Sequence, residues 1–348
     1  MLVLKEYFSR FFPFRSRQGP YVSLKIALIS DALTQASLQA ECLVRNVTPQ
    51  NYVSVLRDWK PDLLFVESAW QGYQDSWRYK LAAYPEHPER TNAALVRVLA
   101  AAKECGVPAV FWNKEDNVHY SRFIDTAALF DNIYTVDSNC IEKYREDVPR
   151  ASIIECLMFP VQPRFHYLKT QEVSKKGSSC FVGSYGKHVH PRRRQWQDML
   201  FQAFAPGGLD IYDRNSGRKA KHYRYPEVPG VRVRNRVPYE QTADLYRRYQ
   251  FNLNVNTIEQ SPTMYSRRLI EILAVGGVAV SSPSQAASAL FSDFCEIVGN
   301  LEEVEEIIHW SGERYRSAVD RAHAGAQVVA KNHTWSCRLQ QIEQASLF

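Results

Sequence analysis

Gly183-Ser184-Tyr185-Gly186 runs straight into Lys187, His188, His190 and Arg192 to Arg194, small residues followed at once by cations. A glycine turn lets backbone N–H groups approach an anion, and neighbouring cations neutralise it. The plain alternative is a basic surface loop. The stretch is no P-loop, because its spacing is too short and His188 replaces the Ser or Thr. His188 and His190 also lack a third ligand at a recognisable spacing, so no metal site is read here.

A second stretch, Ser261 to Gly277, opens with Tyr265, Ser266, Arg267 and Arg268, continues through an apolar segment and closes on Gly276-Gly277. This predicts a helix with cations in its first turn. Glu271 sits one turn inside the apolar part, where a carboxylate is costly to bury without a partner. A ribose diol meets that need, with the helix N-terminus and Arg267 or Arg268 facing a diphosphate. An intrahelical pair between Glu271 and an arginine meets it too. In the first half, Glu67 and Glu115-Asp116 end apolar runs, where desolvation can raise a carboxylate's pKa. Capping a helix, or pairing with Lys114 or Arg78, is the structural alternative. Trp70, Trp77 and Trp112 offer stacking faces or simply core.

These residues must be positioned by regular elements. Leu24–Ser30, Leu63–Val66, Val107–Trp112 and Asn132–Val136 read as strands separated by helices, one running from after Asp31 to about Arg45, others over 52–59 and 92–104. Continuous apolar strands alternating with helices signify a parallel sheet covered on both faces. The pattern halts near Pro160–Pro163 and restarts after the polar stretch 169–179, predicting a domain boundary there. The second half repeats it: strands at 179–182, 209–212, 231–237, 251–255 and 278–281, helices at 193–204, 238–249, 267–275, 301–309, 313–332 and 336–346. The predicted division is a basic-aromatic segment over 1–20, parallel-sheet domains over 21–165 and 175–325, and a C-terminal helix over 326–348. Ligands of such sheets bind beyond the carboxyl ends of the strands, where the residues above lie.

The chain has 348 residues, 45% hydrophobic and 23% charged, which fits a two-domain globular protein. Its net charge of +6 suits a binder of compact anions and not of nucleic acid. Seven cysteines without C-x-x-C fit reduced thiols in a cytosol. No apolar run approaches a membrane span. Leu4, Tyr7, Phe8, Phe11 and Phe12 at helical spacing, with Lys5, Arg10, Arg15 and Arg17, suggest peripheral contact with an anionic membrane, or a helix docked on its own protein.

Several motifs in order resemble a known family: Glu67-Ser68-Ala69-Trp70-Gln71-Gly72 with Ser76-Trp77-Arg78, Phe111 to Asp116 with His119, Phe181-Val182-Gly183-Ser184-Tyr185, Arg268 to Gly277, and His333-Thr334-Trp335 to Leu339. Together they resemble the GT-B glycosyltransferases, and over about 24–345 the CgeB-like, spore-maturation type of family 1 transferase. The resemblance implies two Rossmann-like domains facing a cleft, with the last helix crossing back to the first domain. It implies transfer of a sugar from a UDP-, GDP- or dTDP-linked donor to a carbohydrate or lipid-linked acceptor, inside a bacterial envelope, with no further cofactor. Gly183, Ser184 and Tyr185, with Lys187 nearby, would approach the donor phosphates; Arg236-Val237-Pro238 would meet the base; Glu271 would hold the ribose. Tyr212, Arg214, Asn256, Thr257, Tyr265 and Ser266 are further candidates for that pocket. The acceptor base would come from Glu67, Glu115, Asp116 or His119. The absence of D-x-D matches stabilisation of the leaving diphosphate by fixed cations without a metal. One departure stands out: Thr263 occupies the place of the first of two glutamates eight apart. A nucleotide-sugar 2-epimerase or hydrolase, and a catalytically silent nucleotide-sugar-binding scaffold, are the rival readings.

Overall fold

A computed structural model describes residues 19–348 apart from Glu172 and Ser346. The basic-aromatic segment with its membrane expectation falls on residues 1–18, outside the described residues. Six parallel strands form the first sheet: β1 (Lys25–Ile29), β2 (Leu43–Asn46), β3 (Leu63–Glu67), β4 (Ala109–Asn113), β5 (Asn132–Thr135) and β6 (Ile153–Cys156), in the order β2-β1-β3-β4-β5-β6. The second sheet, also parallel, comprises β7 (Gly177–Gly183), β8 (Leu209–Asp213), β9 (Val231–Asn235), β10 (Tyr249–Asn254), β11 (Ala279–Ser281) and β12 (Glu296–Ile297), in the order β12-β11-β10-β7-β8-β9. Both sheets carry helices on their two faces. In β3 the side chains of Leu63 and Phe65 enter one apolar cluster, and those of Leu64 and Val66 the other. A strand buried on both sides needs apolar residues at every position, which is why its sequence runs without alternation.

Three strands depart from the reading of the sequence. The first helix stops at Glu41, and Leu43–Asn46 pairs with β1 as an edge strand where the helix was expected to continue to about Arg45. β6 and the two-residue β12, both at sheet edges, were not anticipated. Edge strands are half-buried, so their apolar signal is weak.

The order of each sheet reverses beside its first strand, which opens a crevice between β1 and β3 in one domain and between β7 and β10 in the other. The chain leaves the first sheet after Cys156 and returns through its last helix, Trp335–Gln344. Trp335 packs edge-on to Trp112 and Phe65, and Arg338 Nε donates to the Met158 carbonyl at 2.7 Å. Tyr21 donates its hydroxyl hydrogen to Glu343 at 2.7 Å. The domains also touch directly beyond β5: Ser261 Oγ donates to Asp137 at 2.6 Å, and Thr263 Oγ1 donates to the Val136 carbonyl at 3.0 Å. Among the described residues no helix is long and apolar enough to cross a membrane.

Candidate functional site

Strand β7 ends in three consecutive carbonyls that are all claimed by arginines. Arg268 Nε donates to Val182 O at 2.5 Å, the Arg214 backbone N–H to Gly183 O at 2.8 Å, and Arg193 Nη2 to Ser184 O at 3.2 Å. Parallel pairing explains Arg214, since Gly183 lies opposite Asp213 in the register of β7 and β8. A Cβ on Gly183 would fall 2.7 Å from Arg268 Nη2 and 2.5 Å from the Phe181 ring, so only glycine leaves room for this guanidinium. Arg268 also lies over the Phe181 ring, 4.3 Å from its centroid.

None of these three arginines has a carboxylate partner among the described residues. Arg268 is nonetheless buried, and burial, with the charges of Arg214 and Arg193, pushes its pKa down to about 10. Burial also lowers that of Arg193, whose Nε has no partner. Two helices start here. Pro191–Phe204 opens with Arg192, Arg193 and Arg194, and Arg267–Ala274 opens with Arg267 and Arg268, both without an acidic residue in the first turn. The N-terminus of a helix carries partial positive charge and favours anions, so arginines at both raise the local potential instead of offsetting it. The arrangement is that of an anion site whose cations are fixed in advance.

Glu271 lies one turn further along the second helix with no exposed surface. Tyr246 donates its hydroxyl hydrogen to Oε2 at 3.3 Å, while Oε1 has no partner among the described residues. The intrahelical Glu271–arginine pair considered from the sequence is not formed: Arg267 stacks on Phe159 at 4.9 Å and Arg268 turns to β7. Ser266 holds the start of the helix through its N–H, donated to Asn256 Oδ1 at 2.9 Å. Asn256 is itself buried, donating to Ser282 O at 2.7 Å, and acts as a brace for this turn.

Several expected donor contacts lie elsewhere. Tyr185 is buried, its hydroxyl donating to Asp198 at 2.7 Å and its ring against Tyr225, so only its backbone is left for a ligand. Tyr212 turns into the core, where its hydroxyl meets that of Tyr249 at 2.9 Å and Tyr249 donates to Asp210. Tyr265 serves the domain junction: its hydroxyl donates to Phe159 O at 2.8 Å and its ring lies beside His333. Lys187 is exposed and its N–H donates to His222 O. Arg236 and Pro238 are exposed and Val237 half-buried, at the end of β9.

In the first domain the expected acidic residues separate into buried and accessible groups. Glu67 and Asp116 have no exposed surface. Lys114 Nζ lies 2.6 Å from Glu67 and 3.2 Å from Asp31, and Asp31 gathers the N–H groups of Trp70, Gln71 and Gly72 at 3.2, 3.1 and 2.9 Å. Asp116 receives Asn113 Nδ2, Thr135 Oγ1 and the Tyr144 hydroxyl at 2.8, 2.7 and 2.9 Å, and burial raises its pKa to about 7. Glu67, whose Oε2 has no partner among the described residues, and the fully bonded Asp116 hold the loops after β3 and β4. Glu115 and His119 are half-buried, and His119 stands edge-on to Trp70 at 5.1 Å. The pKa of His190 is lowered by burial first and then by Arg193, His119 and His188. Trp77 and Trp112 are core, donating to the carbonyls of Val47 and Leu157; Trp70 is half-buried. Among the described residues no group of three or more His, Cys, Asp or Glu is arranged to hold a metal ion.

Asp31 was missed by sequence reasoning, and its ion pair makes a testable contribution to stability. Burial alone would raise its pKa, but Lys114 and the three amides outweigh burial and hold it below the usual carboxylate range. A carboxyl depressed on folding stabilises above its unfolded pKa and loses that contribution as the pH falls through its folded one. Asp31→Asn is therefore expected to cost roughly 2 kcal/mol at pH 7, under the full penalty of breaking a buried pair because the side chain is 25% exposed. Urea titrations should show that difference shrinking below about pH 4; a difference independent of pH contradicts the assignment.

Residues 192–344 match a family described as Glycosyl transferase-like. Among solved structures, the chain is similar to an alpha-glucosyltransferase in complex with UDP-glucose and DNA containing an abasic site, at 14% identity and a TM-score of 0.61, covering 93% of this chain and 98% of that one. It is similar also to sucrose-phosphate synthase from Thermosynechococcus elongatus (12% identity, TM-score 0.52, 86% and 76% covered) and to a glycosyltransferase from Rickettsia africae ESF-5 (10%, 0.52, 93% and 89%). No curated protein matches it in sequence. Two parallel-sheet domains, the second carrying most of the matched region and the cluster of arginines, give the chain the GT-B glycosyltransferase fold.

Proposed function

We propose that the protein transfers a glycosyl group from a nucleoside-diphosphate sugar, held in the second domain, to a carbohydrate or lipid-linked acceptor held against the first. The observation that carries this reading is the buried Arg268, without a carboxylate partner among the described residues and flanked by Arg193 and Arg214. Such cations are in place before the reaction, so they stabilise charge on the departing diphosphate without reorganisation, and the transfer needs no metal. Glu271 Oε1 takes the ribose. Glu271 has no exposed surface, so a nucleoside reaches it only as the chain that covers it moves aside. Glu115 or His119, accessible at the cleft, removes the acceptor proton, while Glu67 and Asp116 position the loops that carry them.

Thr263, where the resemblance would place a glutamate, donates to Val136 O and accepts the Ser138 N–H at 2.9 Å. It closes the domain contact, and the donor sugar is held by other groups. The order of the motifs supports the CgeB-like subtype, an enzyme working in the cytoplasm beside the membrane. A thermal-shift screen against UDP-, GDP-, CMP- and dTDP-linked sugars tests the reading. One donor at 100 times its Kd adds about 2.7 kcal/mol, a rise of roughly 4 °C for a chain of this size. No shift with any of them contradicts it.

A further inference from the structure

A second buried acceptor lies beside Glu271. His166 comes from the connector between the two sheets, yet only 1% of its surface is exposed. Its ring is tilted against Tyr239, with centroids 5.1 Å apart, and lies 6.4 Å from that of Tyr246, the tyrosine that bonds to Glu271. Tyr246 thus neighbours both groups, and the charge of Glu271 is felt by His166 and by Tyr239.

The surroundings of His166 fix which nitrogen holds the hydrogen. Nε2 lies 2.9 Å from Thr242 Oγ1, and Thr242 Oγ1 lies 2.7 Å from the Tyr239 carbonyl. A carbonyl brings no hydrogen to that contact, so the single hydroxyl hydrogen of Thr242 must occupy it. Towards His166 the threonine is then an acceptor, and Nε2 must be the donor. Burial pushes the pKa of the ring down to about 4, so at neutral pH it is uncharged and Nδ1 presents a bare lone pair. Neither this Nδ1 nor Glu271 Oε1 has a partner among the described residues. Two stranded acceptors buried beside one tyrosine call for a ligand that brings two donors.

We propose that His166 Nδ1 receives the 2′-hydroxyl hydrogen and Glu271 Oε1 the 3′-hydroxyl hydrogen of a vicinal ribose diol, so that the site selects ribonucleotide donors over 2′-deoxyribonucleotide ones. The proposal rests on the nucleotide-sugar reading and narrows it: of UDP-, GDP- and dTDP-linked sugars it excludes the last. A deoxyribose satisfies one acceptor and leaves the other desolvated and empty, which is the kind of mismatch that discriminates most strongly.

Calorimetric titration of the full chain with UDP, GDP, CDP and ADP and their 2′-deoxy counterparts provides the test, on the wild type, His166→Phe and Thr242→Val. The wild type should bind its best ribonucleotide at least about 10-fold tighter than the 2′-deoxy form. His166→Phe should weaken the ribonucleotide and leave the 2′-deoxy affinity within about twofold, removing most of the preference. Thr242→Val, which frees the ring to carry its hydrogen on Nδ1, should fall between, and it serves alone if the phenylalanine variant does not fold. Equal binding of the two sugars by the wild type overturns the proposal. So does an equal loss for both in His166→Phe, the result for a histidine that packs or contacts the base, and so does a preference that survives in the variants. Failure of the wild type to bind any nucleotide sinks the nucleotide-sugar reading itself, a distinct result.

Discussion

Replacing Arg268 by methionine should leave the protein about as stable as the wild type while weakening nucleoside-diphosphate binding by roughly 100-fold or more. The two halves of this expectation have one cause. A guanidinium whose pKa burial lowers to about 10 on folding is less favourable in the folded protein by about 3 kcal/mol. The group is charged in both states from pH 6 to 8, so that cost is constant across the range and gives no pH dependence there. Methionine fills similar space and removes the cost, at the loss of the bond to Val182 O and the contact over Phe181. A buried arginine kept only for the fold behaves in the opposite way. A large drop in urea stability with an unchanged Kd would show that Arg268 is a structural residue.

Glu271→Ala should separate the nucleoside from the diphosphate. The carboxylate has one weak partner, Tyr246, and one oxygen with none, so its removal costs the fold little. A ribose hydroxyl that bonds to a charged acceptor contributes about 1.5–3 kcal/mol, so nucleoside-diphosphate affinity should fall roughly 10- to 100-fold. Inorganic pyrophosphate, which has no ribose, should bind the variant as it binds the wild type. Arg268→Met is the complement, since it weakens both ligands. If Glu271→Ala weakens pyrophosphate as much as the nucleotide, the glutamate acts by shaping the helix and not by contact.

The architecture was legible in the sequence because both sheets are buried on both faces. Leu63 to Val66 are all fully buried, and a short uninterrupted apolar run between two helices is what a strand covered on both sides requires. The edges were not legible. Cys42 ends the first helix with its N–H still bonded to the Leu38 carbonyl, and Leu43 starts a strand at the next residue, a change of direction that no apolar period marks.

In the site, Gly183, Arg268 and Glu271 could be singled out because each breaks a local rule: a glycine ending a strand, a cation at a helix N-terminus, a carboxylate in an apolar segment. Side-chain direction was not legible in the same way. Tyr212 and Tyr265 stand beside the cleft in sequence but point to Tyr249 and to the Phe159 carbonyl. Groups joined only by the fold were equally hidden. Asp31 and Lys114 are 83 positions apart, Arg214 reaches Gly183 through strand register, and His166 arrives from the connector.

The most direct test of the anion and ribose site is a crystal structure of the protein with the nucleoside diphosphate that binds tightest. The account predicts phosphate oxygens within hydrogen-bonding distance of the Arg193 and Arg268 guanidiniums beside Gly183, and a ribose hydroxyl on Glu271. A nucleotide found at another surface, or one bound at the cleft with Glu271 still unpartnered, contradicts it.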